Sequence, residues 1–477
     1  MEIKLKDFNK YLQYKRYFVA LIIITLIATF ALFSADNYNS PLNEIVILII
    51  SLMIGIISFT YYINTKKLYK TALIIILLFG LMFVFLSPMG SIAHEKSEFV
   101  HSEITSQGVL FPGYIDSQNN ASGYLTIASA ANLPKEKTIF TTDWSNENIN
   151  YTKVSYNLDF KDNIFYSYVA QAIGIELAKI LNLNNIFMLW FARICNLLLY
   201  AALSCIAIRK TPCLKMPMVV MACFPASIVL ASTCSGYAFV YSFTLVVIAY
   251  LLNLYKSKDF SITKKEILIY TLLVLILALA QPVFVSLILL LLIIPHNKFK
   301  NNKYHSIIPS IILTLIVLLL WAKFSSYIGF SQLKFVITDY PSLISIIKIP
   351  NQIAMQINSF SVIDNHPLML FNYSYLIFIV LFILFYPIKG QLTRNKKIFI
   401  AVILIITIIG LHVISLSKGI INLETGIDII YYFPILVLLP LIFNINDKKI
   451  RNIDLITIMS VIIFLIFNLV FVGVLFY

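Results

Sequence analysis

The chain has 477 residues, of which 60% are hydrophobic and only 12% are charged, and its net charge is +14. A soluble domain is about half apolar and about a quarter charged, so the composition excludes a soluble enzyme, a disulfide-rich secreted scaffold and a disordered protein. It indicates an all-α polytopic membrane protein. Basic residues gather on the cytoplasmic loops of such proteins, which is the first explanation to test for the positive charge.

Apolar windows of about 20 residues, enough to cross a bilayer, recur along the chain. They lie at residues 17–35, 45–63, 71–88, 186–208, 216–255 (two spans), 267–295, 306–322, 367–388, 398–417, 429–445 and 455–477. The window 267–295 has Gln281-Pro282 at its midpoint, and proline breaks helices, so we expect a short hairpin or re-entrant pair there. The pattern predicts about 13 crossings with the C-terminus outside.

Lysine and arginine residues gather in alternate connections between these windows. Of the 36, 25 fall in residues 1–16, 64–70, 209–215, 255–265, 297–305, 388–397 and 445–453. This bias is typical of cytoplasmic loops and predicts a cytoplasmic N-terminus. It also accounts for the net charge without a nucleic-acid partner.

The windows divide the chain into five parts. These are three N-terminal spans (1–88), an extracytoplasmic loop (89–185), a central bundle (186–327), a second extracytoplasmic segment (328–366) and the C-terminal spans (367–477). In the first loop, residues 164–182 predict an amphipathic helix at the membrane interface. In the second, the stretch PSLISIIKIPNQIAMQI predicts another interfacial helix. Long loops in compact proteins usually carry function.

Three carboxylates, Glu95, Glu98 and Glu103, directly follow the third span. Glu95 and Glu98 are three residues apart and share one face of a helix. Such a pair beside the membrane is suited to act as a general base toward a hydroxyl. The alternative is a solvated helix start whose acids favour the positive end of the helix dipole.

Arg193, in the stretch MLWFARICNLLLY, is the one charge within its apolar window. An arginine at the membrane centre costs about 2.5–3.5 kcal/mol on insertion scales, so it usually faces a partner in the bundle. The expected partner is a loop glutamate or a lipid phosphate, and the alternative is snorkelling toward the headgroups. Lys323, at the end of another span, is weaker evidence of the same kind.

Motifs of several common enzyme classes are absent from the sequence. It contains no Walker glycine loop, paired-glycine dinucleotide fingerprint, HExxH or GxSxG. ATP-driven transport, nicotinamide chemistry and zinc proteolysis therefore have no support.

Taken together, these stretches resemble the bacterial polytopic family known as domain of unknown function 2142, which is similar to the C-type glycosyltransferase superfamily. The family's Pro-Asp-Glu-x-x-His-Phe hallmark corresponds to the run from Ala93 to Phe99, with Glu95 in place, His94 for the aspartate and Glu98 for the histidine. FARICNLLLY matches its Gly-Arg-x-x-Asn-Leu-Leu pattern through Arg193 and Asn196.

Three further stretches carry the resemblance. NIFYSYVAQAIGIELAKILNLN, which contains Tyr166, is similar to the family's tyrosine-containing helix. ASTCSGYA resembles its Ala-Ser-x-Ser-x-Asp-Ala run, with Gly236 for the aspartate. GIDIIYYFPILVLLPLI resembles its Gly-x-Gln-Gly-Arg-Tyr-Phe-x-Pro segment through Tyr432.

The resemblance implies a C-type-glycosyltransferase-like bundle in a bacterial plasma membrane, active on its extracytoplasmic face. It would transfer a sugar from a polyprenyl-phosphate carrier to a cell-envelope glycan. Glu95 would be the general base, and His94 and Glu98 would tune it or ligate a divalent cation, the one cofactor implied. The implied lipid-phosphate site comprises Arg193, Asn196, Tyr166, Lys323 and Tyr432.

Two alternatives from other classes remain. One is a transporter or flippase for polysaccharide lipids, although transporters tend to place charges near the membrane midplane. The other is a catalytically inactive partner of a polymer-assembly complex, which the changes at His94, Glu98 and Gly236 leave open.

Overall fold

The computed structural model describes residues 2–33, 41–88, 95–110, 121–124, 151–156, 164–325, 377–382, 386–387, 392–417, 427–443 and 452–476. Most of these residues form apolar helices. The α-helices are α1 (Glu2–Phe33), α2 (Pro41–Thr65), α3 (Leu68–Leu86), α4 (Glu95–Ser106), α5 (Val169–Ile180), α6 (Asn185–Lys210), α7 (Lys215–Ala222), α8 (Pro225–Ala231), α9 (Tyr237–Tyr255), α10 (Lys264–Ala280), α11 (Lys303–Ser325), α12 (Arg394–Ser417), α13 (Leu439–Phe443) and α14 (Ile453–Phe476).

The remaining elements are short or tightly wound. They are the 3-10 helices Phe165–Ser167, Pro282–Ile293, His296–Lys298 and Ile427–Leu438, and the strands β1 (Ala121–Tyr124) and β2 (Lys153–Tyr156). The two strands pair antiparallel, with Ala121 opposite Tyr156. This small ladder lies in the first long loop and is an addition to the all-α architecture expected from composition.

Seven helices of the described residues are long and apolar enough to cross a membrane. They are Gln13–Phe30, Leu42–Thr65, Leu68–Leu86, Asn185–Lys210, Tyr237–Tyr255, Lys303–Trp321 and Ile453–Val474. The prediction of a multi-pass helical membrane protein is therefore confirmed. The total of 13 crossings stays a prediction, and the expected interfacial helix in 328–366 lies outside the described residues.

The first half of the window 216–255 is broken rather than one continuous helix. α7 ends at Ala222 and α8 begins at Pro225, because a residue before proline is pushed out of the helical conformation. Phe224 is indeed extended, with φ −59° and ψ 128°. Tyr200 and Tyr241 each donate a hydroxyl hydrogen bond of 2.8 Å to carbonyls at the end of α7.

The window 267–295 folds back on itself, as Gln281-Pro282 predicted. α10 stops at Ala280 and the 3-10 helix Pro282–Ile293 follows. The N–H of Phe260 donates to the Asn297 carbonyl at 2.9 Å, so the chain enters and leaves this hairpin at the same end. The sequence did not predict that the second half would be a 3-10 helix.

Close packing brings two helices onto α6, the helix that carries Arg193. A Cβ on Gly80 of α3 would lie 2.4 Å from Leu197, and one on Gly174 of α5 would lie 2.4 Å from the Phe191 carbonyl oxygen. Each glycine therefore permits an approach that a larger residue would block. α3 and α5 can consequently supply polar groups to the surroundings of Arg193.

The predicted amphipathic helix of residues 164–182 is present as Phe165–Ser167 and α5. Its apolar face is exposed through Val169, Ile173, Leu177 and Ile180, while Gln171 faces the interior. An outward apolar face is what a helix in contact with lipid requires. Its position at the membrane interface stays a prediction.

Basic connections gather at one end of the bundle, which we call the basic end. There, Arg209 lies over the Tyr69 ring, and Lys256 and Lys396 lie near the Tyr255 ring. Arg193 is sixteen residues from Arg209 along α6, or about 24 Å at 1.5 Å per residue. We call the end that holds Arg193 the polar end.

Candidate functional site

A buried ion pair joins α6 to the first turn of α4 at the polar end. Arg193 Nε donates to Glu95 Oε1, and Nη2 donates to Oε2, both at 2.7 Å. Arg193 is fully buried and Glu95 is 3% exposed. Of the partners considered for Arg193, a loop glutamate is therefore the one in contact with it, and the guanidinium does not snorkel to the surface.

The same guanidinium caps the C-terminal end of α3. Nη1 donates to the carbonyls of Val84 and Ser87 at 2.9 and 2.8 Å, and Nη2 donates to that of Pro88 at 3.2 Å. The last carbonyls of a helix lack intrahelical partners, and its C-terminal end attracts cations. All five N–H donors of Arg193 are thus engaged by groups of the protein.

The peptide between α8 and α9, residues 232–236, crosses this region without helical structure. The Cys234 N–H donates to Glu95 Oε1 at 3.2 Å, and the Gly236 N–H donates to Glu98 Oε2 at 2.9 Å. These contacts bring the two carboxylates of α4 to the N-terminus of α9, where the helix dipole favours negative charge.

The carbonyls of the same peptide accept hydrogen bonds from two buried amides. Asn196 Nδ2 donates to Thr233 and Ser235 at 2.7 and 3.2 Å, and Gln171 Nε2 donates to Ser235 at 3.0 Å. Within the described part of the chain, the side-chain oxygens of both amides have no hydrogen-bond partner. The polar end therefore presents acceptor atoms rather than spare donors.

Four stretches that carry the family resemblance meet at this point. They are represented by Glu95 and Glu98, by Gln171, by Arg193 and Asn196, and by the peptide 232–236, which form one connected network that we call the polar cluster. Two of the positions that depart from the family pattern, Glu98 and Gly236, are in direct contact. The carboxylate that the pattern carries at position 236 is thus supplied from position 98.

A second group of charges lies between α4 and α5, with Glu103 and Lys179 buried and Glu176 partly exposed. Lys179 is 2.8 Å from Glu176 and 3.6 Å from Glu103. Burial raises the pKa of Glu103, against the attraction of Lys179. His101 packs on the Tyr168 ring at 4.0 Å, and burial lowers its pKa to about 3, so it is neutral at physiological pH.

The other predicted site residues are placed less fully. Tyr166 contacts α9 and α10, with its ring 5.3 Å from that of Phe239 and its hydroxyl donating to the Ile276 carbonyl. Lys323 is in the last turn of α11 and Tyr432 is in the 3-10 helix Ile427–Leu438. Their side chains lie outside the described part, as does the whole of His94.

The residues expected to hold a divalent cation do not form a described metal site. No three histidine, cysteine, aspartate or glutamate side chains are grouped suitably among the described residues. Glu98 is described and its expected co-ligand His94 is not, so metal ligation stays a prediction.

Sequence analysis missed Gln171 and the backbone of residues 232–236 as members of the cluster. Gln171 lies in an amphipathic helix, where a polar residue is expected to face water, yet it is fully buried. Backbone amides and carbonyls have no sequence signature. The serine- and threonine-rich break ASTCSG between two apolar helices was the available signal.

Comparison with known proteins identifies the family. The family model described as "Predicted membrane protein (DUF2142)" matches residues 77–439. No curated protein matches the chain, and no solved structure does. The matched region is well over half of the 477 residues and includes the whole polar cluster. The chain therefore belongs to the DUF2142 family of membrane proteins.

Proposed function

We propose that the protein is a glycosyltransferase that moves a sugar from a polyprenyl-phosphate carrier to a cell-envelope glycan at the polar end. The resemblance to the C-type glycosyltransferase superfamily described above suggests this reaction. The concentration of ionisable groups at one end of an apolar bundle favours surface chemistry over passage, because transporters usually place such groups near the midplane.

The observation that carries the proposal is the position of Glu98. Its side chain is half-exposed, and Oε2 accepts the Gly236 N–H at the start of α9. The Glu98 carboxylate takes the proton of the acceptor hydroxyl, and the hydroxyl oxygen bonds to the anomeric carbon of the sugar. The bond from that carbon to the phosphate oxygen breaks, and polyprenyl phosphate leaves with the electron pair.

The geometry favours Glu98 over Glu95, which the family pattern had suggested as the base. Both oxygens of Glu95 accept hydrogen bonds from Arg193, and Oε1 also accepts one from Cys234. A carboxylate so engaged and so buried is a positioning residue. Glu95 and Arg193 hold α4 against α6 and thereby place Glu98.

The polar cluster suits the acceptor hydroxyl better than the carrier phosphate. Glu95, Glu98 and Arg193 together carry one net negative charge, and the half-exposed member, Glu98, has carboxylate oxygens that accept hydrogen bonds. Sugar hydroxyls donate to such groups, whereas a phosphate needs donors. Lys323 and Tyr432 remain our candidates for phosphate contacts.

The test is a comparison of the cell-surface glycans of a deletion strain and its parent. The proposal predicts that one sugar is missing from the deletion strain and that wild-type protein restores it. An accumulated lipid-linked precursor with unchanged sugar content would instead indicate export and would contradict the proposal.

The role of Glu98 is tested by complementing the deletion strain with variants. Glu98→Gln should leave the sugar missing at wild-type protein levels, while the control Lys96→Gln, in the same turn of α4, should restore it. Full restoration by Glu98→Gln would exclude Glu98 as the base.

A second candidate function, a non-catalytic membrane partner, is favoured by one observation. Arg193 has all five donors engaged and Lys179 is held by two carboxylates and the Ser106 hydroxyl. Neither is therefore available to a phosphate without rearrangement. This function predicts that Glu98→Gln restores the glycan as well as wild-type protein does.

A further inference from the structure

A group of lysines surrounds one tyrosine at the basic end, far from the polar cluster. The Nζ atoms of Lys256 and Lys396 lie 5.8 and 5.9 Å from the centre of the Tyr255 ring. Lys303 is near enough to Lys396 for the two charges to repel each other. We call Lys256 and Lys396 beside Tyr255, together with Lys303, the lysine cluster.

The lysine cluster is not neutralised by the acids around it. Among the described residues, no carboxylate forms an ion pair with Lys256 or Lys396, and the neighbouring Asp259 pairs with Lys298 at 2.7 Å. Lys303 is 6% exposed, and its Nζ is fixed by the carbonyls of Leu292 and Ile294, both at 2.7 Å. Its charge is therefore held in place beside Lys396.

Helix dipoles add to this positive field. α11 begins at Lys303 and α12 begins at Arg394, and neither has an acidic residue in its first turn. The N-terminus of a helix favours anions, so cations there are unfavourable unless an anion is bound. The positive ends of two helices therefore add to the charges of the three lysines, and a bound anion would stabilise this part of the protein.

The location suits a membrane headgroup. Tyr255 is the last residue of a candidate membrane span, and tyrosine is enriched at the level of lipid headgroups. Lys256 is exposed and Lys396 is half-exposed, so both can be reached from outside the bundle. Basic pockets between membrane helices are known to suit anionic lipid headgroups.

We propose that the lysine cluster binds the phosphodiester headgroup of an anionic phospholipid. Lys256 and Lys396 contact the phosphate oxygens beside the Tyr255 ring, and the charge of Lys303 and the two helix N-termini add to the attraction. This site does not depend on the proposed transferase activity.

The test counts lipids bound to the purified full-length protein in neutral detergent by native mass spectrometry during titration with phosphatidylglycerol. Each basic residue near an anionic surface contributes about 1 kcal/mol, or about fivefold in affinity. The double variant Lys256→Gln/Lys396→Gln should therefore bind about 25-fold more weakly than wild-type protein.

The matched control is Lys258→Gln/Lys264→Gln, which removes two exposed lysines of the same connection. The affinity of this control for phosphatidylglycerol should fall less than threefold, and Lys396→Arg should bind the lipid as wild-type protein does. Equal losses in the cluster and control variants would indicate a diffuse basic surface and would overturn the proposal. Equal binding of phosphatidylcholine, or full competition by millimolar glycerol phosphate, would overturn the assignment to an anionic lipid. If the double variant does not fold, the comparison uses Lys396→Gln against Lys258→Gln.

Discussion

At the residue scale, the surroundings of Arg193 follow from the groups that a membrane-buried guanidinium needs. It donates hydrogen bonds to three carbonyls at the end of α3 and to both carboxylate oxygens of Glu95. The sequence predicted that Arg193 has an anionic partner at the polar end, but it did not decide between a glutamate and a lipid phosphate. The choice depends on a contact between residues 98 positions apart, which only the packing of α4 on α6 determines.

The contact between Glu98 and Gly236 predicts that the carboxylate can be moved back to position 236. Glu98→Gln should lower sugar transfer in isolated membranes by about 100-fold or more, as the loss of a general base does. Adding Gly236→Asp should raise the rate of sugar transfer by this variant at least about tenfold. The reason is that Gly236 has φ −63° and that aspartate is favoured at a helix N-cap.

The matched control for this pair is Glu98→Gln/Gly236→Asn, which has the same shape as the aspartate variant without its charge. It should show no recovery. Equal rates for the aspartate and asparagine variants would mean that the charge at the start of α9 has no part in transfer.

At the element scale, apolar windows and prolines predicted most helix positions. They did not predict whether a helix is α or 3-10. The turn at Gln281-Pro282 and the helix of residues 164–182 are both present. The 3-10 conformation of Pro282–Ile293 and Ile427–Leu438 was not predicted. Both stretches are almost uniformly apolar, so their sequences contain no polar face whose spacing would distinguish 3.0 from 3.6 residues per turn.

The burial of His101 on α4, outside the candidate spans, predicts a loss of stability in acid. The pKa of His101 is about 3 in the folded protein and about 6.5 when unfolded. The unfolded state therefore binds an extra proton as the pH falls below 6.5, and stability decreases toward pH 3. The raised pKa of Glu103 acts in the opposite direction, since its folded form takes up a proton first.

His101→Phe should consequently reduce the acid sensitivity of the protein. Between pH 7 and pH 5.5, its free energy of unfolding should fall by about 1 kcal/mol less than that of wild-type protein. Thermal unfolding in detergent at the two pH values measures this difference. The exposed His305→Phe is the control and should behave as wild-type protein does; an unchanged pH dependence in His101→Phe would contradict the account.

At the scale of the whole molecule, polar and basic groups occupy opposite ends of the bundle. Composition and charge bias predicted this division, because both depend on counting residues rather than on contacts. The sequence predicted a loop glutamate as one possible partner of Arg193, but it gave no sign that the peptide 232–236 joins them. Three segments so distant in sequence are joined by the hydrogen bonds of Glu95, Glu98, Arg193 and Asn196.

The division predicts opposite accessibility for cysteines placed at the two ends. In a background without native cysteines, Leu110→Cys should react with a membrane-impermeant thiol reagent in intact cells. Lys256→Cys should react only after the membrane is permeabilised, because the basic end is expected to face the cytoplasm. Both native side chains are exposed, so access is not limited by burial. Labelling of both from the same side would contradict the topology.

The most direct test of the polar cluster is a double-mutant cycle on Glu95 and Arg193, read as free energy of unfolding in mixed micelles. Glu95→Gln and Arg193→Met should each lower the free energy of unfolding by about 3–5 kcal/mol, because each leaves one partner of a buried pair without its counter-charge. The decrease in the double variant should be at least about 2 kcal/mol smaller than the sum of the decreases in the two single variants. Strictly additive losses would show that the two side chains do not interact and would contradict the account.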